Sequence, residues 1–165
     1  AQFDEAKLRR VNAQHIKLMA DDALAALVAG QLVQRGVERA VLDDGRLTRI
    51  CGLFKDRCDT TVALADWAYV FYGDVQPQAA ELAQHVTPAV APALGALSEA
   101  LASCAWDKAS ISAAFKIVLA AHSLKMPQLA MPVRVLTVGT AHTPSVDAVL
   151  ELVGREKVLS RLQNR

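Results

Sequence analysis

The chain has few cysteines, few aromatic residues and little net charge, and each scarcity excludes a class of protein. Three cysteines, Cys51, Cys58 and Cys104, cannot all pair with one another, and they form no CxxC or Cys/His cluster with metal-ligand spacing, so we expect reduced thiols and no metal site. A formal net charge of +1 argues against extensive coating of phosphates. No apolar run reaches the roughly 18 residues that cross a bilayer, and no signal-like segment stands at the N-terminus, so we expect a cytoplasmic protein without a membrane role.

The residues that are abundant favour helices. Hydrophobic residues make up 53% of the chain, which is enough for a substantial core, and almost no stretch alternates with period two, so we predict an all-α fold. Gly73 and Asp74 break the helical pattern and predict two small helical subdomains, residues 1–74 and 75–165. A helix is predicted from Asp21 to a stop at Gly36, and another from Arg46 to about Arg57. A third is predicted from Thr60 or Thr61 to Tyr72 with a threonine as cap, and a fourth from Trp106 to Leu124 with Asp107 as a candidate cap. Shorter helices are predicted over Met131 to Val138, Ser145 to Leu152 and Arg155 to Leu162.

Motifs that would handle a phosphate or activate a water are missing. The sequence contains no P-loop, no dinucleotide-binding glycine motif and no HExxH pair. Its four histidines, His15, His85, His122 and His142, are scattered without an acidic neighbour at a fixed spacing, which favours structural or exposed positions over general-base work. The pair Asp43 and Asp44, followed by a glycine, favours a turn over a metal site.

The segment from Lys125 to Val146, KMPQLAMPVRVLTVGTAHTPSV, carries one arginine among apolar residues. Pro132 is expected to set the backbone at the entry of an apolar run, and Arg134 is then a charge on a rigid base. Its guanidinium could pair with a carboxylate of the same protein or reach outward to a planar partner such as a nucleobase. Thr143 and Pro144 could be a plain helix start, with the threonine as cap and the proline at the first position.

Both ends of the chain resemble one family. The Met-Pro-Val-Arg segment, the Thr-Pro pair and the later run VGREKVLSRL resemble the C-terminus of bacterial glutamyl-tRNA synthetases. The run FDEAKLRRVNAQHIK, from Phe3 to Lys17, is similar to the segment that follows the catalytic KMSKS loop in that family. The similarity is weak only between Ala79 and Ala105. It implies a helical cage that binds the anticodon of tRNA(Glu), in two small helical subdomains.

The resemblance also implies what this chain lacks. Members of the family attach glutamate to its tRNA with ATP and magnesium, on a catalytic domain that would lie upstream. No HIGH-like or KMSKS-like element occurs here, so the chain is expected to have no catalytic residue, to hold no cofactor and to be inactive alone. Its expected partners are glutamate tRNA and the upstream catalytic domain, and a monomer is the expected state.

Five residues match positions that contact the anticodon in the family. Arg134 and Val146 match the pair that holds the middle base, and Thr143 and Pro144 match the turn that holds the first base. The run LTRICGLFKDRCDTT resembles the helix whose final arginine contacts the third base, and that arginine is Arg57.

Arg57 bears on specificity, because glutamate and glutamine tRNAs share the first two anticodon letters and differ by C or G at the last. An arginine can donate to the acceptors of cytosine, whereas guanine presents its own donors there, so the resemblance implies discrimination against glutamine tRNA. The other interpretation of Arg57 is an arginine that offsets the dipole at a helix C-terminus.

Two further expectations concern charge and an alternative function. Residues 3–19 are expected to place a basic face over a packed apolar face, and residues 125–165 carry six basic against three acidic side chains, which predicts an electropositive C-terminal end. The alternative function is a helical scaffold or protein-interaction domain that descends from the synthetase and no longer binds tRNA.

Overall fold

The computed structural model describes residues 4–42 and 45–164. Those residues form ten α-helices, two short 3-10 turns and no strand, so the all-α prediction is confirmed. The chain divides into two compact units, the first ending at Asp74 and the second beginning at Val75. Phe3, the pair Asp43 and Asp44, and Arg165, on which some of the sequence expectations rest, lie outside the described residues.

The first unit contains four helices whose ends follow local rules. Thr60 caps one of them, because its hydroxyl accepts a hydrogen bond from the Ala63 amide. Gly36, at φ +95°, follows the end of another. The elements are α1 Glu5–Leu18, α2 Asp21–Gln34, a 3-10 turn Arg39–Leu42, α3 Arg46–Phe54, a 3-10 turn Lys55–Arg57 and α4 Thr61–Tyr69.

Two of these helices end earlier than the sequence predicted. The helix expected to run from Arg46 to Arg57 stops at Phe54 and tightens into the 3-10 turn Lys55–Arg57. Cys51 and Cys58 therefore do not lie on one continuous helix, although both are buried. The helix expected to reach Tyr72 ends at Tyr69. Helices commonly tighten or fray in their last turn, which sequence patterns locate poorly.

Helix α1 does not have the packed apolar face that the sequence predicted. Of its apolar positions Ile16 is buried, whereas Leu8, Val11 and Leu18 are 44%, 58% and 85% exposed. The contacts of α1 within the first unit fall mainly on the 3-10 turn Lys55–Arg57. The hydrophobic pattern of α1 is real, but within the first unit only a small part of that face is covered.

Aromatic rings and two thiols form the centre of the first unit. Phe54 is fully buried; its ring stacks on Trp67 with centroids 4.8 Å apart and meets the edge of Phe71 at 5.7 Å. Burial, with smaller effects from nearby carboxylates, raises the pKa of the Cys51 thiol to about 12 and that of Cys58 to about 11. Both are therefore neutral thiols at physiological pH and behave as small core residues.

The second unit contains six helices. Asp107 caps one of them as predicted, because its carboxylate accepts a hydrogen bond from the Ser110 amide at 2.8 Å. That hydrogen bond also lowers the pKa of the Asp107 carboxyl. The helices are α5 Ala79–His85, α6 Ala91–Ser103, α7 Lys108–His122, α8 Met126–Val138, α9 Val146–Val153 and α10 Arg155–Gln163. None of the helices in the described residues is long and apolar enough to span a membrane.

Helix α8 is the inner helix of the second unit. It contacts α5, α6, α7, α9 and α10, and its residues from Pro132 to Val138 are buried except for Arg134. The helix begins five residues before the predicted start, so Pro132 lies inside it rather than at its entry. Pro132 costs one hydrogen bond of the helix interior, and burial on several sides offsets that cost.

We expect Phe54→Ala to destabilise the first unit by about 3–5 kcal/mol, because it leaves a cavity beside Trp67 and Phe71. Urea unfolding followed by Trp67 fluorescence, in a Trp106→Phe background, measures this unit. Val62→Ala on the exposed side of α4, where Val62 is 54% exposed, is the control and should cost no more than about 0.5 kcal/mol. Equal costs for the two variants would contradict this account of the core.

Candidate nucleic-acid interface

Arg134 projects from the inner helix of the second unit. Its neighbours Val133 and Val135 are fully buried, whereas Arg134 itself is half-buried. The end of α8 is held by Arg161, whose guanidinium donates to the Thr137 carbonyl at 2.7 Å. The Arg134 side chain therefore leaves a helix that is packed on both sides of it and tied at its C-terminus.

Helix α8 ends at Val138, and Gly139 opens the loop of residues 139–145, which we call the TP loop. Gly139 has φ +89°, and a Cβ placed on it would lie 3.3 Å from Val75 Cγ2 and 3.5 Å from the Gln76 carbonyl oxygen. The Gln78 amide donates to the Gly139 carbonyl at 3.4 Å. Backbone conformation and a close neighbouring segment both favour glycine at this position.

The Thr-Pro pair lies in the TP loop before α9 rather than at the helix start. Helix α9 begins at Val146 with Ser145 as its cap residue, so Thr143 is not the cap and Pro144 is not the first helical residue. Thr143 is 7% exposed and its hydroxyl donates to the Pro144 carbonyl at 2.8 Å. Val146 is 2% exposed. Thr143 and Val146 therefore pack inward, and their side chains offer little surface to a ligand.

The outward surface of the TP loop consists of other side chains. His142 is 84% exposed, Ser145 is exposed and Pro144 is half-exposed. The His142 amide donates to the Thr140 hydroxyl at 3.3 Å, which closes a tight bend. The loop thus presents a proline ring and a histidine to solvent, together with the polar backbone of a turn, which can bond to the edge of a nucleobase.

Glu81 is a residue of this site that the sequence analysis missed. Its Oε1 accepts hydrogen bonds from the Thr140 hydroxyl and the Ala141 amide, each at 3.2 Å, and lies 3.9 Å from His142 Nε2. Glu81 is on α5, 59 residues before Thr140. It falls in the stretch where the resemblance is weak, and no local pattern connects it to the loop.

Arg57 belongs to the first unit, whereas the other four predicted residues belong to the second. It ends the 3-10 turn Lys55–Arg57 and is exposed. Lys55 in the same turn is tied inward, because its ammonium group contacts Asp21 Oδ1 at 2.8 Å and the Met19 carbonyl at 3.2 Å. Since α3 already ends at Phe54, Arg57 lies beyond the last turn of the α-helix, which weakens the interpretation of Arg57 as a dipole-capping arginine.

Part of the basic charge near the C-terminus is used inside the protein. The Arg155 guanidinium donates to the Cys104 carbonyl and lies 5.4 Å from the centroid of the Trp106 ring. Arg161 holds the end of α8, and both arginines are half-buried. The expected electropositive end therefore offers fewer cations to a ligand than the sequence count predicted.

No group of three or more His, Cys, Asp or Glu side chains that could hold a metal ion is found in residues 4–42 and 45–164. Each unit is therefore described by its own candidate groups: the exposed Arg57 on a 3-10 turn of the first unit, and the half-buried Arg134 with the TP loop in the second unit. Guanidinium groups, a proline ring and turn backbone recognise flat, hydrogen-bonding partners, which is the chemistry of single-stranded bases.

Comparisons with known proteins agree on the family. A family profile described as an anticodon binding domain matches residues 18–165. The curated glutamate–tRNA ligases of Paracidovorax citrulli (strain AAC00-1) and Verminephrobacter eiseniae (strain EF01-2) are 73% and 70% identical, over 99% and 100% of this chain. The chain spans 34% and 35% of the length of those two relatives.

The fold is also found among solved structures. A crystal structure of a glutamate tRNA ligase from Elizabethkingia meningosepticum, in complex with its amino acid, matches with a TM-score of 0.89 and 24% identity. The match covers 99% of this chain and 32% of that chain. At this identity the likeness bears on the fold alone.

We expect Gly139→Ala to destabilise the second unit by about 1–2 kcal/mol, because alanine at φ +89° is strained and its Cβ meets Val75. Unfolding followed by Trp106 fluorescence, in a Trp67→Phe background, measures this. Gly30→Ala is the opposing control. Gly30 lies inside α2, and a Cβ placed on it would meet no neighbouring atom within 4 Å, so alanine there should stabilise the first unit by about 0.5–1 kcal/mol, as followed by Trp67 fluorescence in a Trp106→Phe background. If Gly139→Ala leaves the stability of the second unit unchanged, the assigned loop geometry is contradicted.

Proposed function

This chain belongs to the family of anticodon-binding domains, and on that premise we propose that it recognises the anticodon of glutamate tRNA as part of a glutamate–tRNA ligase. The match of the family profile to residues 18–165 carries the proposal. Relatives that are more than twice as long and bear the ligase name support it. Activation of glutamate with ATP and magnesium would then belong to the part of the enzyme outside this chain.

The second unit would bind the first two anticodon bases. Bases in an unstacked loop need hydrogen bonds to their edges and a flat or apolar surface against their rings. We assign hydrogen bonding of the middle base to Arg134, and contact with the first base to the backbone of the TP loop and the ring of Pro144. Thr143 and Val146 would act from within, because both are buried and hold the loop and the start of α9.

The first unit would bind the third base through Arg57. Its exposed guanidinium lies on a turn held by the contact between Lys55 and Asp21 at 2.8 Å. Cytosine offers acceptors to an arginine, whereas guanine places donors in the same region, so an enzyme with Arg57 should prefer glutamate tRNA over glutamine tRNA. Among the five proposed residues, Arg57 is the one that would separate the two tRNAs.

The setting of this function is proposed on similar grounds. Free, buried thiols at Cys51 and Cys58 fit a reducing compartment such as the cytoplasm, where tRNA is charged. With a net charge of +1, phosphate contacts should be few, so binding should depend on base contacts as well as on salt. A monomer is the expected state.

One observation favours a second candidate function. The exposed apolar side chains of α1, Leu8, Val11 and Leu18, suit a contact with protein better than a contact with RNA. A helical scaffold of this kind would bind its partner with little dependence on salt, whereas binding to tRNA should weaken as salt is added, in proportion to the number of phosphates that the protein contacts.

The test of Arg57 compares glutamate tRNA with the same tRNA carrying G in place of C at the third anticodon base. We expect the intact chain to prefer C, and Arg57→Gln to reduce that preference by about 1–3 kcal/mol, because the charged donor to cytosine is lost. Arg39→Gln is the matched control, since Arg39 is also exposed on a 3-10 turn of the first unit. If both variants keep the preference for C, the assignment of Arg57 fails.

The test of Arg134 uses the same two tRNAs. Arg134→Ala should weaken binding to both equally, because the middle anticodon base is the same in each. Arg134→Lys keeps the charge but loses the planar pair of donors, so it should restore only part of the affinity. If the intact chain binds neither tRNA, or if its binding does not change with salt, the scaffold function is favoured over the proposed one.

A further inference from the structure

We infer that Glu81 is a positioning residue for the first anticodon base, because its carboxylate holds the TP loop in the shape that presents Pro144. This inference rests on the proposed function and adds a residue that contacts no base itself. Glu81 lies in α5, outside the segments that resemble the family strongly. Its role would be exerted through the loop backbone.

The loop is held at three consecutive residues by a single short segment. The Gln78 amide donates to the Gly139 carbonyl at 3.4 Å. Three residues further along, Glu81 Oε1 accepts from the Thr140 hydroxyl and the Ala141 amide, each at 3.2 Å. The start of α5 therefore ties down the chain as it leaves α8, immediately before the exposed part of the TP loop.

The carboxylate is placed there at a cost to stability. The Glu81 side chain is only 14% exposed, and its Oε2 atom is buried without a hydrogen-bond partner in the part of the chain that the structure describes. A buried oxygen that lacks a donor costs free energy. The two hydrogen bonds to the loop are what an apolar residue at this position could not supply, and they account for the glutamate.

The hydrogen bonds to Glu81 decide where the next residues point. With Ala141 held, the His142 amide donates to the Thr140 hydroxyl at 3.3 Å and closes the bend. Thr143, the next residue, is buried. Pro144 is left half-exposed on the other side. Without the carboxylate, the Thr140 hydroxyl and the Ala141 amide would bond to water and the loop would sample other shapes, which would lower its affinity for a base.

The experiment measures binding of the intact 165-residue chain to RNA hairpins with the anticodon loop of glutamate tRNA, with the first or the third anticodon base replaced. We expect Glu81→Ala to weaken binding of the unaltered hairpin about tenfold and to lose most of the discrimination at the first base. Discrimination at the third base should stay as in the intact chain, because Arg57 belongs to the first unit.

Two companion variants separate positioning from a general loss of structure. Glu81→Gln keeps an oxygen that can accept both hydrogen bonds, so it should restore discrimination at the first base. Glu151→Ala is the matched control. The Glu151 carboxylate also accepts a hydrogen bond from a distant backbone amide, that of Lys108 at 2.8 Å, but this bond does not involve the TP loop. This variant should leave discrimination at both bases unchanged.

The outcomes decide between the inference and the function on which it rests. If the intact chain binds no hairpin, the proposed function fails. If the intact chain discriminates at the first base and Glu81→Ala does so equally well, the inference fails and the proposed function stands. If circular dichroism shows that Glu81→Ala is unfolded, Thr140→Val decides, since it removes one of the two hydrogen bonds: reduced discrimination at the first base supports the inference, and unchanged discrimination overturns it.

Discussion

The second unit depends on the burial of α8 among five other helices. Residues on several faces of this helix are buried, so α8 has little freedom to rotate or shift without opening the core. Arg134 therefore leaves the helix in a set direction, and the TP loop starts from a set point. The Arg161 contact to the Thr137 carbonyl at 2.7 Å reinforces the end of the same helix. The proposed site for two anticodon bases thus inherits its rigidity from an apolar core.

Charged side chains in this protein divide into those that hold the structure and those that remain for a ligand. Arg155, Arg161, Lys55 and Glu81 bond to backbone groups of distant segments. Arg57 remains outward and exposed. With a net charge of +1, the chain has little excess positive charge, so the proposed function would depend on a few placed cations and on the shape of the TP loop. Placement, rather than the amount of charge, would then set specificity.

Local signals predicted much of the fold, and they failed where packing competes with them. The caps at Thr60 and Asp107 and the stop at Gly36 follow from short-range hydrogen bonds and backbone conformation, which a sequence shows directly. Pro132 was expected at a helix start, but burial of α8 offsets the hydrogen bond that proline removes. The apolar face of α1 was expected to pack, yet a hydrophobic pattern does not say which surface covers it.

The sequence by itself determined the helical class, several helix ends and the family resemblance, because these depend on side-chain type and on spacings within a few turns of helix. Only the tertiary structure decided that Thr143 and Val146 turn inward, that Pro144 stays at the surface and that Glu81 meets the loop. Glu81 and Thr140 are separated by 59 residues. Such a contact forms only after the helices between the two residues have packed. Bringing these residues together costs conformational entropy, and burial of the whole core offsets that cost, whereas the hydrogen bond between Glu81 and Thr140 does not.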